Sequence, residues 1–577
     1  MDAGADSVAV QRPARPAGLA LAWTDSLGLG LAVSLAVGLV WVLILMGAGP
    51  LNPRNVGWLG WDGAQGYIAW GLFRNDAWHW PLAYTTRMGW PVGESIALLD
   101  PNPVIAVALK PFSRLLGEPF QYFGLESVLM CALQFFFAMK LFRLLLGPNP
   151  LGIALCSLFF LMAPPLAFSL STHYALSNHW LILAALLIFF QAQEDGPHVV
   201  RRFVTWALAL AAVAVAINPY IAFQVAGVLT AAVLSLLWRR RLTLVQAAGF
   251  MAAMGVVGAA MALTFGFVIA GSKGYTAWGY RHFSMNLLSP IDPRQWASIV
   301  LPRMPEGDSG QYEGYNYLGA GILAVALIAL AATAVRRKKP GPVDRRWVVP
   351  LLLCCAVLTL MALSTKVMLG SRTLADLDPN EHLTPYLASL RSSGRLFWTP
   401  FYVILLGVLA APFRLMRRTW ANALVACALL LQIADTGSLV RWVHTTGMKG
   451  HASPLQSPVW SQLGSLHENL VVLPAWQCSS RITPDGFRGF QTFGMLAVAQ
   501  GMRTNSYYSG RYTKATLDFH CRQAIAALSE QPLSPDTAYV VTPKLAAAIA
   551  AGPTGPGKCH EVDGFVLCSM KTDFGLQ

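Results

Sequence analysis

Long apolar runs separated by short polar connections dominate the chain between residues 27 and 440. A bilayer crossing needs about 20 apolar residues at about 1.5 Å rise each. About eleven stretches fit: 27–49, 121–143, 150–169, 175–193, 203–217, 220–238, 246–270, 317–335, 348–367, 396–413 and 420–440. They predict an all-α polytopic membrane protein. The segment 103–116 is too short to span and carries Lys110, which predicts an interfacial or half-membrane helix. After Arg441 the pattern changes. Short β-type runs ("NLVVLPAW", "TAYVVTP", "GFVLCSM") alternate with helical ones ("LDFHCRQAIAALSEQ", "KLAAAIAAG"). This predicts a transmembrane domain over 1–440 followed by a small α/β domain over 441–577.

The polar connections carry the orientation. Alternate ones are basic: Lys140 and Arg143, Arg201 and Arg202, Arg239–Arg241, Arg336–Lys339 with Arg345 and Arg346, and Arg414 with Arg417 and Arg418. With Arg12 and Arg15 they place the N-terminus in the cytoplasm, because positive loops stay inside. An odd number of crossings then puts the C-terminal domain outside, on the periplasmic or cell-exterior side. The long loops, 50–102, 271–316 and 368–395, fall on the same outer side, and long ordered loops commonly carry function. The first run is too long for a signal-peptide core and reads as a retained helix. No fixed-period repeat is visible, which argues against an inverted-repeat transporter.

Composition agrees with the pattern. The 577 residues are 55% hydrophobic and 12% charged, too little polar surface for a soluble chain of this size. A net charge of +14 suggests nucleic acid until the basic residues are located in short clusters between apolar runs, which excludes that partner. Cys131, Cys156, Cys354, Cys355 and Cys427 fall in spans and read as inert apolar residues. The other four lie in the exported tail, where an even set predicts disulfides. "CHEVDGFVLC" centres on Asp563-Gly564, a favoured two-residue turn, and counting outward pairs Cys559 with Cys568. Cys478–Cys521 follows by elimination. The tail has no C-x-x-C and no His pair at ligand spacing, which disfavours zinc.

The candidate chemistry lies in the outer loops. Asp62, in "GWLGWDGAQGYIAWGLFRN", follows the first span with no cation beside it in sequence. It reads either as a helix cap or as a base, and Tyr67, Trp70, Phe73 and Trp78 suit a helix lying at the bilayer surface. His173 and His179 flank "YALSN" and could bind a hydroxyl or tune the acid. Their spacing is not a metal-ligand pattern. Arg281, His282, Asn286, Glu313, Tyr315, Asn316 and Tyr317 supply hydrogen-bonding groups and aromatic faces suited to carbohydrate. Arg391 and Arg395 in "SLRSSGRLFW", with Lys366 nearby, suit a phosphate clamp on the side where positive-inside disfavours arginine. The D-x-D at Asp376 and Asp378 is a weak metal–diphosphate signal.

Together, an acid after the first span, interfacial helices, outer loops and an exported tail resemble the GT-C superfamily of membrane glycosyltransferases. "DGAQGYIAWGLFRN…WHWPL", "YRHFSMNLLSPIDP", "GQYEGYNYLGAG" and "RSSGRLFW" look like a bacterial multi-pass branch catalogued as a domain of unknown function. The resemblance implies a sugar donor on a polyprenyl phosphate, a glycan, lipid or protein acceptor, contact with membrane lipid, and Asp62 as general base. Many GT-C members pair two acids at that place, whereas here one Asp precedes Gly; no cofactor is implied, and a divalent metal is left open. Chemistry points the same way. Outside the inner membrane a sugar donor arrives on a lipid, its phosphate leaving group needs cations, and the acceptor hydroxyl needs a base. The rivals are a polysaccharide polymerase or ligase, a lipid-linked sugar transporter, and a non-catalytic assembly partner. A transporter needs ionisable residues along a path inside the spans, and here they gather at the outer rim.

Overall fold

Polar residues fix where the apolar runs become helices. Ser26, Asn149, Asn218 and Thr243 each accept a hydrogen bond from a first-turn N–H, and Thr243 with Gln246 completes a capping box. Pro150 and Pro219 follow their caps, at a position where a missing N–H costs no helical bond. The computed structural model describes residues 22–99, 101–269, 275–276, 279–335, 344–378, 387, 390–450, 452–478, 489–554 and 558–571.

Among the described residues, eight helices are long and apolar enough to cross a membrane: Leu27–Met46, Phe123–Leu146, Val199–Ile217, Pro219–Trp238, Leu244–Phe265, Arg345–Leu363, Ser393–Leu415 and Arg418–Gly447. Pro150–Leu161 and Pro164–Leu170, bent by 49°, make a ninth if counted as one span. The bend falls where Pro164 and Pro165 offer no N–H to the ladder. The two remaining expected runs, 317–335 and 175–193, are helical but short. Ala320–Val335 has 16 residues. The run from 175 opens with a tight turn at Ala175–Ser177 and is α-helical only over Trp180–Gln191. Arg12, Arg15, the basic cluster 336–339 and parts of the expected loops 271–316 and 368–395 lie outside the described residues.

The segment 103–116 forms two short helices, Pro103–Leu109 and Ser113–Leu116. Its Lys110 is buried, donates to the Ala77 carbonyl (2.9 Å) and sits over the rings of Phe73 and Trp78. An ammonium over aromatic faces can be buried without a carboxylate partner.

The tail is an α/β unit. Its five-stranded sheet runs, from one edge, Cys559–Val562, Phe565–Cys568, Thr537–Val541, Asn469–Leu473, Arg503–Thr504. Asn469–Leu473 is parallel to both neighbours, and the other two pairings are antiparallel. Residues alternate between two cores, as a strand buried on both faces requires. Leu470 and Val472 pack with Trp460 and Phe493, while Val471 and Leu473 pack with Leu528 and Ile549. Disulfides join Cys478 to Cys521 and Cys559 to Cys568.

The Asp62–Arg74 helix corrects one expectation. Aromatics spaced along it suggest a helix lying on the bilayer surface, yet every residue from Gly63 to Arg74 is buried. Phe123 and Tyr174 cover part of it, and the tail covers another part. A Cβ on Gly71 would come within 2.4 Å of Val498, and one on Gly494 within 2.6 Å of Ile68. The helix Gly489–Ala499 therefore crosses it at glycine-only separation. Backbone bonds add to the seam: Thr504 donates to the Arg87 carbonyl (2.8 Å), and Trp90 donates to that of Thr504 (3.2 Å). Behind them Glu94 is fully buried. Burial pushes its carboxyl up to about 7, against hydrogen bonds from the Ser95 N–H and the Tyr507 and Thr516 hydroxyls.

Candidate functional site

A cavity of about 470 Å³ opens where the tail meets the ends of the membrane helices. The segment after the first span supplies Trp61, Asp62 and Gln65. The bent helix pair leads into Ser171, Thr172 and His173, and the Asn218-Pro219 junction supplies Tyr220. Tyr312, Glu313, Arg391 and Arg395 come from the later loops, and Phe490, Tyr508, Gly510 and Arg511 from the tail.

Asp62 is the first residue of its helix. The cap is Trp61, which makes no side-chain capping bond and has φ +52°. A bulky residue at positive φ is strained, and such residues persist where surrounding structure holds them. The positive end of the helix favours a carboxylate at this point. The Asp62 side chain is 25% exposed, and its Oδ2 lies 3.3 Å from Nδ1 of His173. On its other side His173 Nε2 lies 2.9 Å from Arg395 Nη2 and 3.7 Å from Glu313 Oε1.

Arg395 and Glu313 form a buried pair, with Nε donating to Oε2 at 2.8 Å and Nη2 making a second bond to the same oxygen. Their side chains are 9% and 4% exposed. Burial alone would raise the Glu313 carboxyl, but the Arg395 guanidinium beside it holds it well below the usual carboxylate range. Arg391 donates to the Gly510 carbonyl (3.0 Å) and the Tyr508 hydroxyl (3.3 Å). Burial works against its charge, but Tyr508 and Glu313 outweigh it and lift the guanidinium above its ordinary value. Arg511 donates to the Tyr220 hydroxyl (3.5 Å), and both Arg511 and Arg395 lie over the Tyr220 ring. Two arginines from distant parts of the chain thus meet over one tyrosine, with Arg391 lining the same cavity. A further wall is aromatic: Trp296 stacks with Phe168 (5.2 Å) and with Trp442 (4.8 Å).

The structure brings together Asp62, His173, Glu313, Arg391 and Arg395 from the expected set. The others lie elsewhere, for identifiable reasons. His179 does not face the cavity: its ring is wholly buried and bonds the Tyr402 hydroxyl at 2.8 Å. Lys366 sits on a hairpin beside Asp308 (3.7 Å). His282 pairs with the same Asp308. Arg281 is paired with Asp376 and Asp378, so those acids serve an ion pair. Asn286 ties its loop to Gln311 and the Gly370 carbonyl, both at 2.9 Å. Tyr315 packs behind the aromatic wall, against Trp296 and Phe168. The Tyr317 hydroxyl donates to Asp435 at 2.7 Å. Arg511, Tyr508 and Tyr220 escape sequence reasoning. The one local signal was the cation among aromatics in "SYYSGRY".

A sequence model described as "Domain of unknown function (DUF6311)" matches residues 35–437, and one described as "DUF6311 C-terminal domain" matches residues 459–570. A search of curated proteins returns no match. Among solved structures, a crystal structure of ArnT from Cupriavidus metallidurans bound to undecaprenyl phosphate is similar at 12% sequence identity and a TM-score of 0.47, with 95% of this chain and 99% of that chain covered.

Proposed function

The chain belongs to the DUF6311 family, and from that premise we propose an inverting glycosyltransferase that moves a sugar from a polyprenyl-phosphate donor to an acceptor at the outer face of the inner membrane. One observation carries the reading. A single cavity at the ends of membrane helices holds an accessible carboxylate, Asp62, together with Arg391, Arg395 and Arg511. In a one-step displacement the acceptor oxygen attacks the anomeric carbon. Its proton passes to Asp62, the bond to the phosphate oxygen breaks, and the electron pair leaves with the phosphate. Guanidiniums suit that leaving charge because their planar forks match phosphate oxygens. Arg395 is committed to Glu313, which assigns the phosphate contacts mainly to Arg391 and Arg511.

Sidedness supports the same reading. Asn218 and Tyr220 lie at the cavity end of the helices Val199–Ile217 and Pro219–Trp238, whose opposite ends carry Arg201, Arg202 and Arg239–Arg241. If basic ends mark the cytoplasm, the cavity and tail are periplasmic. A reporter active only in the periplasm should therefore work when fused after Gln577. Silence there, with activity when it is inserted near Pro340, would reverse the orientation.

The phosphate site is tested with polyprenyl phosphate itself in nanodiscs. Arg391→Ala and Arg511→Ala should each weaken binding about 10- to 100-fold, the usual effect of losing a charge-assisted contact. Binding unchanged in both variants would remove the donor site from this cavity.

A further inference from the structure

We infer that His173 is a positioning residue for Asp62, held in the neutral form whose proton sits on Nδ1. The inference rests on reading Asp62 as the base. A guanidinium has only donors, and Arg395 Nη2 lies 2.9 Å from His173 Nε2. Nε2 is therefore the acceptor and carries no proton. The proton belongs on Nδ1, which faces Asp62 Oδ2 at 3.3 Å. A proton on Nε2 would face the Arg395 N–H, and its available acceptor, Glu313 Oε1, is 3.7 Å away, longer than a good hydrogen bond.

Each link is fixed by the one behind it. Glu313 accepts from Nε of Arg395 at 2.8 Å and sets the guanidinium plane. Arg395 then selects the tautomer of His173, and His173 holds one oxygen of Asp62. Among the described residues, the charged groups facing the imidazole include Asp62, Glu313 and Arg395, with Arg391 and Arg511 in the same cavity. In this arrangement His173 does not take the acceptor's proton, because its only lone pair is engaged by Arg395. The proton ends on Asp62.

Two substitutions separate this role from a packing role. His173→Asn keeps an N–H near the position of Nδ1 and offers nothing at Nε2. His173→Gln reaches toward Arg395 and loses the donor to Asp62. The Asn variant should retain transfer within about threefold of wild type, and the Gln variant should fall about 10- to 100-fold, with polyprenyl-phosphate binding unchanged in both. In His173→Gln the acid limb of kcat/KM should move to higher pH, since a carboxylate that loses a donor is protonated more readily. Gln equal to or better than Asn, or an unmoved acid limb, would overturn the role. A second measurement needs no substrate. In protein labelled with ¹⁵N-histidine, the signals missing from either variant identify His173, and they should show a protonated Nδ1 and a bare Nε2. An imidazolium or the opposite tautomer would refute the inference whatever the reaction. Conversely, normal transfer by Asp62→Asn would remove the catalytic reading and leave the tautomer still to be decided by the spectrum.

Discussion

Asp62→Asn should fold, bind polyprenyl phosphate normally and lose sugar transfer by about 10²–10⁴-fold, the usual contribution of a general base. In barrier terms that is about 3–5 kcal/mol. The competing explanation for this acid predicts much less. Trp61, not Asp62, occupies the cap position, so the helix-terminus role open to Asp62 is a charge in the first helical turn. Such a charge is worth about 0.3–1 kcal/mol, and it acts on stability rather than turnover. The two roles therefore differ in size and in the quantity they change. Release of free polyprenyl phosphate from lipid-linked sugars, followed by mass spectrometry in proteoliposomes, reads the first. Thermal unfolding in detergent reads the second. A variant that unfolds earlier but turns over normally would leave Asp62 a structural acid.

Glu313→Ala should be the most destabilising single change in the cavity. It leaves the Arg395 guanidinium, 9% exposed, without its carboxylate. Removing one partner of a buried pair costs about 3–5 kcal/mol, because the remaining charge stays desolvated. Arg281→Ala provides the contrast. That arginine also pairs with carboxylates, but Asp378 is 88% exposed, and pairs open to water contribute about 0–1 kcal/mol. Melting temperatures of the two variants in one detergent should separate clearly. If both fall within experimental error of wild type, Arg395 has a second anchor and the chain from Glu313 to Asp62 is not rigid.

What the sequence reveals here depends on how local the determining physics is. Apolar periodicity locates all eleven runs as helices, because a membrane crossing is set by consecutive residues. The hairpin register is equally local. Counting outward from Asp563-Gly564 pairs Val562 with Phe565 and Cys559 with Cys568, as observed. The histidines show the limit. His173 and His179 are six residues apart, but the intervening turn at Ala175–Ser177 sends one ring to the cavity and the other into the helix core. No spacing rule distinguishes them. The Asp62–Arg74 helix looks interfacial by composition because its cover arrives from Val498, more than 400 positions later in the chain. Arg511 is hidden for the same reason: its place beside Tyr220 is set by docking of the tail.

That docking also governs when the protein can work. Tyr508, Gly510 and Arg511 help line the cavity, and they lie more than 400 positions after Asp62 in the chain. A ribosome inserting this protein delivers Asp62 to the membrane long before those residues. Until then Asp62 stands in place without the tail's share of the cation cluster. A chain truncated before Tyr508 should then insert its membrane helices yet lack the complete cavity, so assembly of the site depends on the tail.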